Sequence, residues 1–194
     1  MSSGQLEREL AQWEKWEAHL LENQLSFPML AYFRSQHPNQ SWLTALVAIT
    51  DCSSLVSLTA KDDLKRQADL TFAMACHILA DTAVEFGLGA QVKKAAGHSR
   101  LSDDQYGKLR ARLSRQANSP GLRGLDKRQF DRFLNMYQPH AIALSNYFSM
   151  SLPKWIADDA TRENWRVPIS ERDETPFAVS DPFSESEEES RRAG

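Results

Sequence analysis

Two cysteines in 194 residues, Cys52 and Cys76, are too few for a disulfide-rich secreted scaffold. Eight glycines and eight prolines exclude collagen-like or low-complexity character for most of the chain. No uncharged apolar run reaches 18 residues; the best stretch, Trp42 to Leu58, is interrupted by Asp51 and several Ser and Thr, so a membrane span is not expected. The opening MSSGQLEREL lacks the basic start and apolar stretch of a signal peptide. A Gly-rich phosphate loop, an HExxH pair and a GxSxG elbow are missing too. The expectation is a soluble, cytosolic chain without a familiar catalytic signature.

What is present reads as helix. At 41% apolar and 25% charged, the chain can bury a core without a metal or disulfide staple. Prolines at 28, 38, 120, 139, 153, 168, 176 and 182 leave 81 residues, Asn39 to Ser119, without one. Proline costs about 3 kcal/mol inside a helix, so this gap permits long helices. No stretch alternates with period two for long enough to argue a sheet.

The first helix is expected from about Gln5 to Gln24, with Leu6, Leu10, Trp13 and Leu20 on its inner face and Trp16 beside it. A short piece starts at Pro28, and Ser41 is placed to cap a helix from Trp42 to about Leu58. Asp62 or Asp63 caps the next and longest helix, which ends near Gly87 and Gly89 and is apolar nearly all round at its centre. Ser102 with Gln105, and Asp126 with Gln129, fit capping boxes for helices over about 103–117 and 127–138; a further helix runs from Pro139 to Met150. Beyond Pro153, LPKWIADDATRENWRVPI reads as a strap packed on the bundle. From Glu171 the chain holds eight acids and three bases and is expected to be disordered. The fold class is therefore all-α: about six helices and a strap over residues 1–170, then an acidic tail over 171–194.

Charge is uneven. Between Gln91 and Arg132 eleven Lys and Arg stand against four Asp. Lys93, Lys94, Arg100, Lys108, Arg110, Arg112, Arg115, Lys127 and Arg128 form a candidate basic face. Only Tyr106 and Phe130 interleave with it, so anionic lipid head groups, an acidic protein surface or the chain's own tail suit it better than nucleic acid. The alternative is a solvated helix face.

His77 and Asp81 stand four apart in the apolar helix, and Asp51 lies in the other apolar helix. Brought together, the three would form either a metal site or a buried polar cluster whose members satisfy one another. The repeated Glu-x-x-His of helical metal sites is absent, which favours the polar cluster, with no metal or other cofactor. Cys52 and Cys76, each in an apolar context, read as buried reduced thiols rather than a redox pair.

Three blocks carry a family resemblance. WEKWEAHLLENQLSFPMLAYFRSQHPNQSWLTALVAITDCSSL (Trp13 to Leu55) resembles a segment of bacterial proteins of the ion channel or two-pore-domain potassium channel family; RQADLTFAMACHILAD (Arg66 to Asp81) and SLPKWIADDATRENW (Ser151 to Trp165) are similar to later blocks of the same region. In that family the region lies in the cytosol after a two-helix pore module. The resemblance implies a non-catalytic regulatory or assembly domain at the inner face of the cell membrane, its partner a pore module or a second copy of itself. Within the most specific string, YFRSQHPNQSW, the residues Arg34, His37, Asn39, Gln40 and Trp42 form a candidate polar loop, tying helix ends together or serving as a purely structural hydrogen-bond knot. This chain departs from the family in having no Thr-x-Gly-Tyr/Phe-Gly filter and no membrane-spanning pair, so it cannot conduct ions alone.

Overall fold

A computed structural model of the chain describes residues 2–33, 41–115 and 125–156. Ser2 opens the first helix, α1 (Ser3–Ser26), its hydroxyl accepting from the Gln5 N–H. Pro28 then begins a single 3-10 turn, Pro28–Tyr32. Ser41 caps α2 (Trp42–Thr59) as expected: its Oγ accepts from the Thr44 N–H at 3.0 Å and pairs with the Thr44 hydroxyl at 2.7 Å.

Neither Asp62 nor Asp63 caps α3 (Asp62–Glu85) through its side chain; both lie in the first turn, where their charge favours the positive end of the helix. Gly87, at φ 66, ends α3 in the left-handed conformation, and the Leu88 N–H reaches back to the Ala83 carbonyl at 2.8 Å. A short helix unforeseen in the sequence, α4 (Gly89–Ala95), follows. The Ser102–Gln105 box forms reciprocally at 3.0 and 3.2 Å and starts α5 (Asp103–Arg115). Asp126 caps the last helix, α6 (Lys127–Phe148). The described residues are thus all-α, with six helices and no strand.

The expected break at Pro139 is corrected. α6 runs through it as one helix, although proline has no N–H to donate to the carbonyl four residues back. Tyr137, Gln138, Pro139, Ala141 and Leu144 are all buried, and burial on this scale outweighs one lost hydrogen bond.

Side-chain ties give the helix directions. Thr71 meets the Leu10 carbonyl and Thr82 meets Gln24, so α1 and α3 run parallel. Phe72 packs on Phe133 and Tyr137, and Phe86 on Tyr147 and Phe148, so α6 is parallel to α3 as well. α2 runs against all three, with Thr44 at the α6 C-terminal end and Asp51 at Tyr137. The core lies where α2, α3 and α6 converge, around Leu43, Leu46, Val47, Phe72, Ile78, Leu79, Phe130, Tyr137 and Leu144.

α2 has the length and apolar character of a spanning helix, yet most of it is buried in the bundle. Three of its buried hydroxyls are satisfied within the helix: Thr50 donates to the Leu46 carbonyl, Ser53 to that of Thr50 and Ser54 to that of Asp51, while Thr44 donates to the Ser151 carbonyl and Ser57 to Asp69 on α3. α3 is not apolar-buried all round as expected: it packs against α1, α2, α4 and α6, but Leu70, His77 and Val84 face outward. On α1 the buried positions are Leu10, Glu17 and Gln24, one heptad apart, while Trp13 is exposed against Trp16.

Because the Ser41 hydroxyl holds both an amide and a hydroxyl in a buried site, Ser41→Ala should cost about 1–2 kcal/mol, read as a lower urea midpoint at unchanged slope.

Candidate functional site

The most heavily connected polar group is Arg100, in the link between α4 and α5. Its guanidinium enters the core, where its side chain and that of Asp51 are each only 10% exposed. Nη2 donates to Asp51 Oδ1 at 2.5 Å, Nη1 donates to the Pro153 carbonyl at 2.8 Å, and the plane lies over the Trp155 ring at 5.8 Å. The Tyr137 hydroxyl donates to the same Asp51 oxygen, and the Arg100 backbone N–H donates to Gln138 Oε1 at 3.0 Å. One side chain therefore ties α2, α6 and the 151–156 segment to the link that carries it. Arg100 Nε, Gln138 Nε2 and Trp155 Nε1 are buried without a partner, so the cluster is satisfied at Asp51 Oδ1 and at both Nη atoms but not throughout.

The charges hold one another. Burial pushes the Asp51 carboxyl up to about 6, although Arg100 and Tyr137 pull it down. Burial also opposes the charge on Arg100, but Asp51 and Tyr137 together more than offset it and hold the guanidinium above its ordinary range. Burial first, then Asp51, raises Tyr137 well above a normal phenol. At neutral pH Asp51 is an anion, Arg100 a cation and Tyr137 a neutral donor, a set that stores charge in place and binds segments together.

The other expected residues fall differently. His77 and Asp81 pair with each other at 3.3 Å on the outside of α3, their side chains 66% and 39% exposed, so the expected buried cluster of Asp51, His77 and Asp81 is corrected. His77 precedes Ile78 and Leu79, which take the core-facing positions, while Asp51 turns toward α6. Among the described residues no group of three or more His, Cys, Asp or Glu is placed to hold a metal. Of the candidate polar loop, Arg34, His37, Asn39 and Gln40 lie outside the described residues; Trp42 is half-buried, its indole N–H bonded to the Ala31 carbonyl at 3.0 Å and its ring against Phe148. Cys52 is exposed rather than buried; Cys76 is half-buried, and both are free.

The basic face is also redrawn. Arg100 leaves it for the core. Lys108 pairs with Asp104, and Lys127 with Asp103 and Asp131. Lys93, Lys94, Arg110, Arg112 and Arg128 are exposed; the Arg115 side chain lies outside the described residues. The strap is packed as far as it is described, with Leu152, Trp155 and Ile156 against the core and Trp155 edge-on to Phe130 at 5.3 Å. The rest of the strap and the acidic tail lie outside the described residues. The sequence carried no local signal for Arg100, one of eleven bases in its stretch, nor for Tyr137.

Removing Arg100 leaves Asp51 buried without its counter-charge. Arg100→Met should cost about 3–5 kcal/mol at pH 7 in urea denaturation. Asp51 titrates higher in the folded state, about 6, than its usual 3.8, so its contribution to stability is fully present below 3.8 and is lost as pH rises through 6. The variant should therefore be less damaged at pH 5, where Asp51 can take up a proton. Asp51→Leu added to Arg100→Met should recover much of the loss at pH 7, while His77→Leu, on the outside, should stay within about 0.5 kcal/mol of the parent.

No protein-family model matches this chain, and neither does any curated protein or solved structure.

Proposed function

We propose that this chain is a non-catalytic docking domain that regulates or assembles a membrane ion channel of the class its sequence resembles. The observation that carries this reading is an apolar end of the bundle. From the last turn of α1 through the 3-10 turn, Leu25, Phe27, Met29 and Phe33 are 57–71% exposed, and Leu30 and Tyr32 nearly half exposed. Tyr32 extends this surface onto α6, its hydroxyl 2.8 Å from that of Tyr147 and its ring against Phe86 and Phe148. Monomers rarely leave contiguous apolar surface of this kind uncovered, and where it occurs it marks a contact with another protein or a membrane.

The resembling blocks support the same reading in another way. The first holds Thr44 and Asp51, the third holds Ser151, Pro153 and Trp155, and the two are joined by the Thr44 hydroxyl on the Ser151 carbonyl at 2.7 Å and by Arg100. In this reading the resembling blocks form the frame that carries the apolar end. Its partner in this reading is the pore module, or a second copy of the chain.

The combined variant Phe27→Asp, Met29→Asp, Phe33→Asp should keep its urea midpoint, since all three side chains are exposed, and should lose association with the pore module on co-purification and with itself in sedimentation. The coding sequence upstream of Met1 should continue into two apolar segments of about 20 residues flanking a Gly-Tyr-Gly or Gly-Phe-Gly filter. A stop codon there, with unchanged sedimentation of the variant, overturns the reading.

The exposed Lys93, Lys94, Arg110 and Arg112 favour a second reading, a stand-alone module holding an anionic lipid surface or an acidic protein. Attachment of that kind must weaken as salt rises. Liposome flotation that is unchanged in high salt, or absent in low salt, counts against the lipid form.

A further inference from the structure

α1 is held to α3 along a seam whose polar groups are not all partnered. Leu10, Glu17 and Gln24 are its buried α1 positions. Above and below Glu17 the seam is closed: Thr71 donates to the Leu10 carbonyl at 3.3 Å, Thr82 donates to Gln24 Oε1 at 2.9 Å, and Gln67 donates to Glu14 at 2.6 Å. Glu17 itself is 0% exposed, and neither of its carboxyl oxygens has a hydrogen-bond partner. The Gln24 amide nitrogen beside the same seam is likewise buried and unpartnered. The titratable groups acting with Glu17 are Glu14 on its own helix and the Cys76 thiol on α3. Both are anionic when ionised, so neither can neutralise a Glu17 carboxylate. The neutral donors of α3 in the seam, Gln67, Thr71 and Thr82, are engaged elsewhere.

A carboxylate in this position has no counter-charge and no donor, whereas a neutral carboxylic acid carries only the smaller cost of a buried polar group. We infer that Glu17 is a proton-held latch: α1 stays docked on α3 while this side chain carries a proton and comes away when the proton leaves. Burial first, and then Glu14, pushes the carboxyl up to about 8 from its ordinary 4.5. Burial first, and then Glu17, pushes the Cys76 thiol up to about 12. The sign follows from the raised folded value: docking is strongest below 4.5, weakens as pH rises and has lost this contribution above 8. Each pH unit within that window moves the docked-to-open ratio about tenfold when α1 in the open state has an ordinary carboxyl. Opening uncovers the face of α3 that carries Thr71 and Thr82. The latch stands on the α1–α3 seam alone and holds whether or not the channel reading does.

The test uses the full chain and compares it with the same chain carrying Glu17→Gln. Backbone hydrogen exchange of α1 is followed from pH 6 to pH 9, with that of α6 measured alongside, since an undocked α1 loses the packing that protects its amides. Dividing the α1 exchange rate of the chain that keeps Glu17 by that of the chain with Glu17→Gln cancels the pH dependence of the exchange chemistry itself. The ratio should rise at least tenfold between pH 6 and pH 8 while the α6 amides stay protected. A ratio that is flat with pH, or a rise that occurs only together with exchange of α6, overturns the latch. Should Glu17→Gln not fold, infrared spectroscopy of the parent decides. A protonated-carboxyl band present at pH 7 and lost by pH 9 is expected, and its absence at pH 7 overturns the latch.

Discussion

The bundle depends on one buried ion pair. Arg100 reaches Asp51 in the middle of α2 and the Pro153 carbonyl beyond α6, so segments far apart in the chain are fixed to each other through a single guanidinium. A planar fork can do this where a point charge cannot, since two terminal nitrogens reach two different acceptors while the face lies over Trp155. The cost of burying both charges is met only because each has a partner, and Tyr137 donates to the same carboxylate oxygen. With the pair in place, the link between α4 and α5 closes over the core and the 151–156 segment folds back onto α6, where Trp155 meets Phe130.

The seam between α1 and α3 is the counterpart of that cluster. Asp51 has a cation and a phenol; Glu17, also buried, has neither, and the two carboxyls therefore respond to burial differently. One remains an anion at neutral pH and anchors the fold. The other is compatible with its surroundings only as a neutral acid. With Glu17 as a proton-held latch, the α1–α3 seam is the part of the bundle whose hold varies with pH. The apolar end formed by Leu25 to Phe33 continues directly from α1. A partner that binds this end is therefore in a position to sense, or to bias, how firmly α1 is docked.

Several elements were legible from local chemistry. Ser41 and the Ser102–Gln105 pair act as caps because capping needs only residues within one turn. Gly87 stops α3 because a left-handed residue is cheapest there for glycine. Other elements were not legible, for a common reason. His77 and Asp81 have the spacing of a pair and do pair, but spacing does not say whether the pair faces in or out; Ile78 and Leu79 take the inside. Pro139 looked like a boundary because proline is costly in an isolated helix, and only the burial around it keeps α6 continuous. Along α1, Trp13 is the more apolar residue, yet Glu17 is buried, since the heptad Leu10, Glu17, Gln24 is the face that meets α3.

Composition and local pattern settled that the chain is helical, where most helices start and where α3 ends, because propensity, caps and proline spacing act over a few residues. They also settled that Asp51 would need a partner, since a carboxylate in an apolar helix cannot remain alone. The identity of that partner is 49 residues away, and Tyr137 is 86 away. Which of eleven bases turns inward, which face of α1 is covered and which apolar side chains stay in water were decided by the packing of α2 against α3 and α6. Burial and charge pairing act between residues that meet only in space, and their balance is set once the helices are assembled.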